Sequence, residues 1–225
     1  MIISLFDYTG IMVRDWANAG LGTAIFDIQH TKQYVDGIPA FDWDISAMRG
    51  QIIDLGRQAN CTFVAAFPPC TDLAVSGSRH FEAKMKADPY YLGKALDLFE
   101  AAQEIIEGIG CPGFLENPVS VASTIWRPSD FTFHPWEYGG YLSEWDVHPQ
   151  YPEFIAPRDA YPKLTCIWAL GGYKLPPKKP VYCPPGISAQ ASQLGGKSLK
   201  TKNIRSATPR GFARANFEAY ARALL

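Results

Sequence analysis

Cys70 is the residue whose type and position point most directly to chemistry. It follows an apolar segment, residues 61–67, and the two prolines Pro68 and Pro69. The segment predicts a short buried strand, and open α/β sheets bind ligands at the carboxyl ends of their strands. The prolines restrict the backbone before the thiol, so Cys70 can be aimed at a substrate as a nucleophile. The alternative is a buried, unreactive cysteine.

Glu116 occupies a second position of this kind, because it follows the apolar residues 113–115 and precedes Asn117 and Pro118. The end of a predicted strand again places it at the edge where ligands bind. A carboxyl group there suits general acid–base work beside a nucleophile. The alternative is an ordinary surface carboxylate at a strand end.

The elements that must position these residues alternate along the first half of the chain. Apolar strand-like runs are followed by stretches with helical spacing, which predicts a mostly parallel sheet flanked by helices and an α/β fold class. The predicted strands cover residues 2–6, 23–26, 61–67 and 113–115, and the predicted helices cover residues 12–19, 47–58 and 92–109.

The second half of the chain has fewer regular patterns. Residues 128–185 are rich in Pro, Trp, Tyr and Gly, and residues 165–170 form the best strand there. We expect a flexible loop over residues 190–196 and a final helix over residues 209–224. The aromatic cluster of this half comprises Trp126, Phe131, Phe133, Trp136 and Tyr138. These side chains are predicted to be core, with stacking on nucleic-acid bases as the alternative.

The composition excludes several classes of protein. The 225 residues are 47% hydrophobic and 19% charged, which is typical of a soluble globular protein. No apolar run approaches the ~20 residues of a membrane helix, and residues 1–10 lack the basic start of a signal peptide. We therefore expect no membrane partner and a cytoplasmic location. Five cysteines without a C-x-x-C pair predict free thiols and no metal site.

The net charge of −1 argues against a protein that coats nucleic acid non-specifically. The cations are unevenly distributed, however, since residues 197–214 contain six Lys and Arg residues and no Asp or Glu. This strip predicts contacts to phosphate groups beside an active site. A solvated, partly helical tail is the alternative.

The residues around Cys70 follow the pattern P-C-x-x-x-x-x-S-G, which resembles the catalytic loop of the cytosine-specific (carbon-5) DNA methyltransferases. Glu116-Asn117-Pro118 resembles the second catalytic signature of that family, commonly E-N-V, with Pro in place of Val. The resemblance implies a Rossmann-like, S-adenosylmethionine-dependent methyltransferase fold that acts on DNA. It also implies that Cys70 is the nucleophile, that Glu116 is the acid and that Asn117 fixes the loop.

The chemistry of cytosine agrees with these implied roles. Carbon 5 is a poor nucleophile, and addition of a thiolate at carbon 6 turns the ring into an enamine that can attack an electrophilic methyl group. A carboxylic acid must then hold or protonate ring nitrogen 3 as charge develops. Cys70 and Glu116 are implied to supply these two groups.

The N-terminal residues 5–10 resemble the cofactor loop of the family, normally F-x-G-x-G, with Tyr8 in place of the first glycine. Asp27 is similar to the acidic residue that holds the ribose hydroxyls, and Asp44 to the residue at the adenine amino group. Both could instead begin a turn or cap a helix. The residues implied to bind S-adenosylmethionine, or a carboxylated derivative, are Phe6, Asp7, Thr9, Gly10, Asp27, Ile28, Asp44, Ile45, Pro68 and Thr208.

The family usually carries Q-x-R-x-R on a late strand, and residues 161–168 correspond to it. Lys163 and Thr165 stand where the arginines are expected, so one cation is kept and one is lost; both residues are implied to belong to the catalytic site. We expect Ser76, Arg79, Arg205 and Arg210 to contact the nucleic acid; for Arg79, which follows the Cys70 loop, a structural or solvent-facing role is the alternative. Only about 35 residues lie between this strand and the last motif, too few for a recognition domain. The chain therefore resembles a compact, phage-type member.

We predict a single domain over residues 1–225, divided into a core (1–125), a reduced recognition region (126–204) and a returning C-terminal helix (205–225). Two other functions stay open. The same scaffold could transfer a modified group, such as carboxymethyl from carboxy-S-adenosylmethionine, or act on a free nucleotide. A non-catalytic protein that binds cofactor or DNA is the other alternative, and the joint presence of Cys70 and Glu116 speaks against it.

Overall fold

Eight strands form one sheet in the computed structural model, which describes residues 1–186, 188–195 and 198–221. The strands are β1 (Ile2–Leu5), β2 (Thr23–Phe26), β3 (Tyr34–Val35), β4 (Ile38–Phe41), β5 (Phe63–Ala66), β6 (Gly113–Pro118), β7 (Phe131–Phe133) and β8 (Thr165–Leu170). Their order in the sheet is β3-β4-β2-β1-β5-β6-β8-β7. The five strands from β4 to β6 in this order are parallel, whereas the pairs β3–β4, β6–β8 and β7–β8 are antiparallel.

The strand order reverses between β1 and β5, since β1 continues to β2 on one side and β5 continues to β6 on the other. Ile2 pairs with Phe63 and Leu5 with Ala66, so β1 and β5 end side by side. In open α/β sheets the crevice at such a reversal accepts ligands. The carboxyl ends of β1, β2, β5 and β6 thus form the ligand-binding edge expected of this topology, hereafter the carboxyl edge.

Helices cover both faces of the sheet. The α-helices in the described ranges are α1 (Arg14–Asn18), α2 (Arg49–Gln58), α3 (Phe81–Ala87), α4 (Tyr91–Ile109), α5 (Ala122–Ile125), α6 (Ala189–Ser192), α7 (Leu199–Ser206) and α8 (Arg210–Tyr220). Val64 and Leu115 pack in one core with α2 and α4, whereas Phe63 and Phe114 pack in the other with α1 and α8. Burial on both faces explains why the central strands are continuous apolar runs. Within the described ranges, no helix has the length and apolar character needed to span a bilayer.

The predicted α/β class with a mostly parallel sheet is confirmed. Most predicted elements of the first half are present with ends shifted by one or two residues, and β6 continues through Pro118 rather than ending at Leu115. The predicted strand over residues 165–170 coincides with β8. The aromatic cluster of the second half is partly core, since Phe133 and Tyr138 are fully buried whereas Phe131 is exposed.

The prediction of a flexible loop over residues 190–196 is wrong for its first part, because helix α6 occupies it. Ser188 Oγ accepts the Ala191 N–H at 3.3 Å and caps the first turn of α6. Helix α7 lies in the basic strip, for which a partly helical tail is the alternative expectation, and Ser198 Oγ caps it by accepting the Thr201 N–H at 3.2 Å. The predicted positions Gly196, Lys197 and 222–224 lie outside the described ranges.

Candidate active site

Cys70 lies just beyond the end of β5, at the carboxyl edge, and its side chain is half-buried. Its carbonyl oxygen accepts the N–H groups of Leu73 at 3.1 Å and Ala74 at 2.8 Å, which closes a turn directly after the thiol. Lys84 of α3 donates to the Thr71 carbonyl and to the carboxylate of the next residue, both at 2.7 Å. The loop that carries Cys70 is therefore held by backbone and side-chain hydrogen bonds.

Glu116 and Asn117 lie on β6, the neighbour of β5. The register pairs Ala66 with Leu115, so Glu116 lies beside the residue that follows β5. Asn117 is buried and donates from Nδ2 to the Pro68 carbonyl at 2.7 Å. This bond joins the strand that carries Glu116 to the residues directly before Cys70.

Two backbone hydrogen bonds also connect the Cys70 loop to the segment after β6. The Val75 N–H donates to the Val119 carbonyl at 3.1 Å, and the Val121 N–H donates to the Leu73 carbonyl at 2.9 Å. Together with the Asn117 side chain, these bonds bring the two predicted catalytic loops together at the carboxyl edge.

Burial and the charges of Lys163 and Glu116 dominate the electrostatics of this site. Burial raises the pKa of the Cys70 thiol, the positive charge of Lys163 opposes this, and the charge of Glu116 adds to it. Burial also raises the pKa of Glu116, again opposed by Lys163. Glu116 Oε1 is buried without a hydrogen-bond partner among the described residues. The site therefore favours a protonated Glu116, and Lys163 favours the thiolate of Cys70.

Lys163 and Thr165 reach the same edge from β8. Thr165 pairs with Pro118, is fully buried, and donates from Oγ1 to the Lys163 carbonyl at 3.1 Å. Lys163 Nζ donates to the Arg205 carbonyl at the end of α7, at 3.0 Å. Lys163, two residues before β8, thus contributes a positive charge to the surroundings of Cys70 and Glu116, whereas the Thr165 hydroxyl donates to the backbone two residues earlier.

The predicted cofactor loop after β1 is organised around Asp7. Its buried carboxylate accepts the Ser4 hydroxyl at 2.8 Å, the Thr9 N–H at 3.0 Å and the Gly10 N–H at 2.8 Å. Phe6 and Gly10 both have left-handed backbone angles, with φ of 55° and 66°. The assignment of Asp7 to the cofactor needs correction, because its two oxygens are engaged in shaping the loop. Phe6, Thr9 and Gly10 stay at the carboxyl edge.

Asp27 directly follows β2 and is buried. Its Oδ1 accepts the Gln29 N–H at 2.8 Å. Burial raises the pKa of this carboxyl, and the Gln29 N–H opposes the rise. Ile28, beside it, is 71% exposed. Asp27 therefore keeps acceptor capacity at the carboxyl edge, since a carboxylate offers about four lone-pair sites.

Asp44 begins a turn, one of the two roles that the sequence left open, and does not cap α2. Its Oδ1 accepts the N–H groups of Ser46 at 3.1 Å and Ala47 at 3.2 Å, just before α2. Ile45 is buried in the core, so its side chain packs rather than faces solvent.

The two other predicted cofactor residues, Pro68 and Thr208, are both buried. Pro68 lies in the loop after β5, and Thr208 lies two residues before α8. Sequence reasoning missed Phe41 and Trp43, which directly precede the Asp44 turn in the chain. Their rings pack on each other at a centroid distance of 5.3 Å.

The four residues predicted to contact the substrate have different surroundings in the structure. Arg79 is exposed in a 3₁₀ turn, Val75–His80, which also carries the backbone of Ser76; the Ser76 side chain lies outside what the structure describes. Arg205 is exposed at the end of α7. Arg210 needs correction as a phosphate contact, because its two terminal nitrogens bind the carboxylate of Asp146 at 2.7 and 2.5 Å.

The Arg210–Asp146 pair belongs to a buried polar cluster that sequence reasoning missed. Asp159 is buried, accepts the Gly211 N–H at 2.8 Å, and has its pKa raised by burial to about 6. His148 is buried beside the pair, and burial followed by the charge of Arg210 lowers its pKa to about 4. This cluster fixes the start of α8, directly after Thr208.

We expect Arg210→Ala to destabilise the fold by about 3–5 kcal/mol, because it leaves the Asp146 carboxylate buried and unpaired. The side chains of the pair are only 16% and 11% exposed, so solvent screens their attraction weakly. Urea unfolding of the full chain measures the loss. Arg205→Ala, at an exposed arginine nearby, is the control and should change stability by less than about 0.5 kcal/mol. Equal effects of the two substitutions would contradict the role given to the pair.

The comparisons with known proteins do not assign a family. No protein-family model matches the chain, and no curated protein matches it. In the part of the chain that the structure describes, no group of three or more His, Cys, Asp or Glu side chains is arranged to hold a metal ion.

Proposed function

We propose that the protein transfers a methyl group from S-adenosylmethionine to carbon 5 of cytosine in DNA, through a covalent bond to Cys70. One observation carries the proposal. Cys70 follows β5, Glu116 lies in the carboxyl half of the neighbouring parallel strand β6, and Asn117 of β6 binds the Cys70 loop by a hydrogen bond of 2.7 Å to the Pro68 carbonyl. A thiol and a buried carboxyl beside one cation are the groups that addition to a pyrimidine ring requires.

The residues of the carboxyl edge fit the cofactor. The loop after β1 and the Cys70 loop flank the point where the strand order reverses, which is where this topology binds nucleotides. Asp27 offers a buried carboxylate oxygen for ribose hydroxyls, and the positive φ of Gly10 lets the backbone approach closely. When bound, S-adenosylmethionine supplies an electrophilic methyl group. Thr208 would close the pocket, since the buried cluster holds the residues that follow it.

The chain's own residues account for the activation of the ring. The Cys70 thiolate adds to carbon 6, and the positive charge of Lys163 stabilises that thiolate. Glu116, whose pKa is raised by burial, is available as an acid that holds a proton at ring nitrogen 3. A base, through water, then takes the carbon-5 proton; the electron pair of that bond restores the double bond between carbons 5 and 6, the bond from carbon 6 to sulfur breaks to release the Cys70 thiolate, and the proton at nitrogen 3 returns to Glu116.

Unpaired cations favour a polynucleotide acceptor over a free nucleotide. Arg79, Lys163 and Arg205 lie around the carboxyl edge, and none of them forms an ion pair with a carboxylate in the described part of the chain. The exposed residues Lys200 and Lys202 of α7 share this property. Elsewhere most cations are paired with carboxylates. Several cations without carboxylate partners can each contact a phosphate, and a polynucleotide offers successive phosphates where a free nucleotide does not.

Mass spectrometry of nucleosides tests the proposal. The full chain is incubated with cytosine-containing DNA and S-adenosylmethionine whose methyl group carries deuterium. We expect labelled 5-methylcytosine in the digested DNA. Unlabelled cytosine, at concentrations where the protein binds both DNA and cofactor, would contradict it. Transfer of a heavier group from carboxy-S-adenosylmethionine, or labelling of a free cytidine nucleotide alone, would instead favour the modified-group or nucleotide alternative.

A further inference from the structure

Trp145 is the most exposed large apolar side chain of the described residues, with 89% of its surface accessible. Val147, two residues later, is 60% exposed. The residues that alternate with them point inward, since Asp146 belongs to the buried ion pair and His148 is 2% exposed. The loop thus directs the side chains of Trp145 and Val147 to solvent and those of Asp146 and His148 into the protein.

Hydrogen bonds fix this loop next to Trp145. The Asp146 carboxylate accepts hydrogen bonds from both terminal nitrogens of Arg210. It also accepts the Arg158 N–H at 2.9 Å. On the other side, His148 Nδ1 accepts the N–H groups of Gln150 at 3.2 Å and Tyr151 at 2.9 Å. Since the backbone is anchored before and after the exposed pair, a partner that contacts Trp145 would not have to order the loop.

The loop lies at the same edge of the sheet as the catalytic pair. Arg210 begins α8, and Phe212 in its first turn stacks on Phe133 at a centroid distance of 4.3 Å. Phe133 pairs with Thr165, and Thr165 pairs with Pro118 at the carboxyl end of β6. The start of α8, and the loop bound to it, are therefore at the carboxyl edge.

The loop also lies on the face of the sheet to which Glu116 points. Side chains alternate along a strand, and Phe114 on β6 packs with α8 whereas Leu115 packs with α4. Glu116, two residues after Phe114, is directed to the α8 face. The loop that carries Trp145 and the Glu116 side chain are thus on the same face of the sheet.

We propose that Trp145, with Val147 beside it, is an aromatic contact for the bases of the acceptor DNA; this inference rests on the function proposed above. Removing a cytosine from a stacked duplex costs a few kcal/mol, and a rigid aromatic ring recovers part of that cost by stacking. Glu144, which is exposed and directly precedes Trp145 in the chain, carries a negative charge that repels phosphates and so favours contact with bases over contact with the backbone. The unpaired cations around the edge attract the same polymer.

Binding of a short fluorescein-labelled duplex, followed by anisotropy with the full chain and S-adenosylhomocysteine present, tests the inference. We expect Trp145→Ala to raise Kd by about five- to hundredfold, the range of one base–aromatic stack. Trp145→Phe should recover most of the affinity. The slope of log Kd against log salt should stay unchanged in Trp145→Ala, because no phosphate contact is removed, whereas Lys202→Ala should lower it by about one.

Tyr90→Ala is the matched control. Tyr90 is 76% exposed but precedes α4, which packs on the opposite face of the sheet, so this substitution should leave Kd unchanged. Equal affinity of the wild type and Trp145→Ala would overturn the inference while the methyl-transfer proposal stands. Loss of self-association in Trp145→Ala, with DNA affinity unchanged, would overturn it in favour of a second copy as the partner. A wild type that binds DNA through Trp145 but transfers no methyl group would sink the proposed function and leave the contact intact.

Discussion

We expect Cys70→Ala to reduce the proposed methyl transfer by roughly three orders of magnitude or more, the scale expected when a catalytic nucleophile is removed. The physical reason is that carbon 5 of cytosine becomes reactive only after a thiolate has added to carbon 6, and an alanine offers no atom that can add. The loop itself should persist, since its turn is closed by the backbone carbonyl of residue 70 and by Lys84. Initial rates with saturating DNA and cofactor measure the effect.

Cys183→Ala is the control for this substitution. Cys183 is half-buried like Cys70 but donates to the Ala160 carbonyl at 3.7 Å, away from the Cys70 loop. It should retain wild-type rates. If Cys70→Ala kept the biological effect of the protein, the non-catalytic alternative would be favoured, because binding of cofactor and DNA does not need the thiol.

Glu116→Gln is expected to lower the rate by roughly 10²- to 10⁴-fold, the usual contribution of a general acid. Glutamine keeps the shape of the side chain and can donate a hydrogen bond, but it cannot transfer a proton to nitrogen 3. Affinity for DNA and cofactor should change little, so the loss appears in kcat. Glu153→Gln, at an exposed carboxylate outside the site, should leave the rate unchanged.

The pH dependence gives the second readout of Glu116. Burial raises its pKa above the ordinary value of 4.5, so the acid form survives above that pH and is lost as pH rises through the raised pKa. The ionised, buried form also destabilises the fold over the same range. Glu116→Gln should therefore gain stability relative to the wild type as pH rises. Fully wild-type activity in Glu116→Gln, or a variant less stable at high pH, would contradict the assignment.

The parallel core is predictable from the sequence because each strand is encoded locally. β1, β2 and β5 are short apolar runs bounded by turn residues, and burial on both faces removes any polar alternation. The β3–β4 hairpin is harder to predict. Asp36-Gly37 is a typical two-residue hairpin turn, with φ of 48° and 82°. Its flanking strands, Tyr34–Val35 and Ile38–Phe41, are too short to show a period.

The placement of Cys70 and Glu116 is predictable for a similar reason. Cys70 follows β5 and Glu116 lies in the carboxyl half of β6, and parallel strands that are neighbours bring their carboxyl ends together. The ion pair of Arg210 is not predictable from a local pattern, because its partner Asp146 is 64 residues earlier in the chain. In the sequence alone, a basic strip without acidic residues favours phosphate contacts, and only the fold places a carboxylate opposite one of its members.

Covalent trapping is the most direct test of the central claim, that the sulfur of Cys70 bonds to carbon 6 of a cytosine held by Glu116. The full chain is incubated with S-adenosylmethionine and DNA in which cytosine is replaced by 5-fluorocytosine, whose fluorine cannot leave as a proton does. We predict a protein–DNA adduct that survives denaturation, with peptide mass spectrometry placing the linkage on Cys70. No adduct under conditions where both ligands bind, or a linkage to another cysteine, would contradict the account.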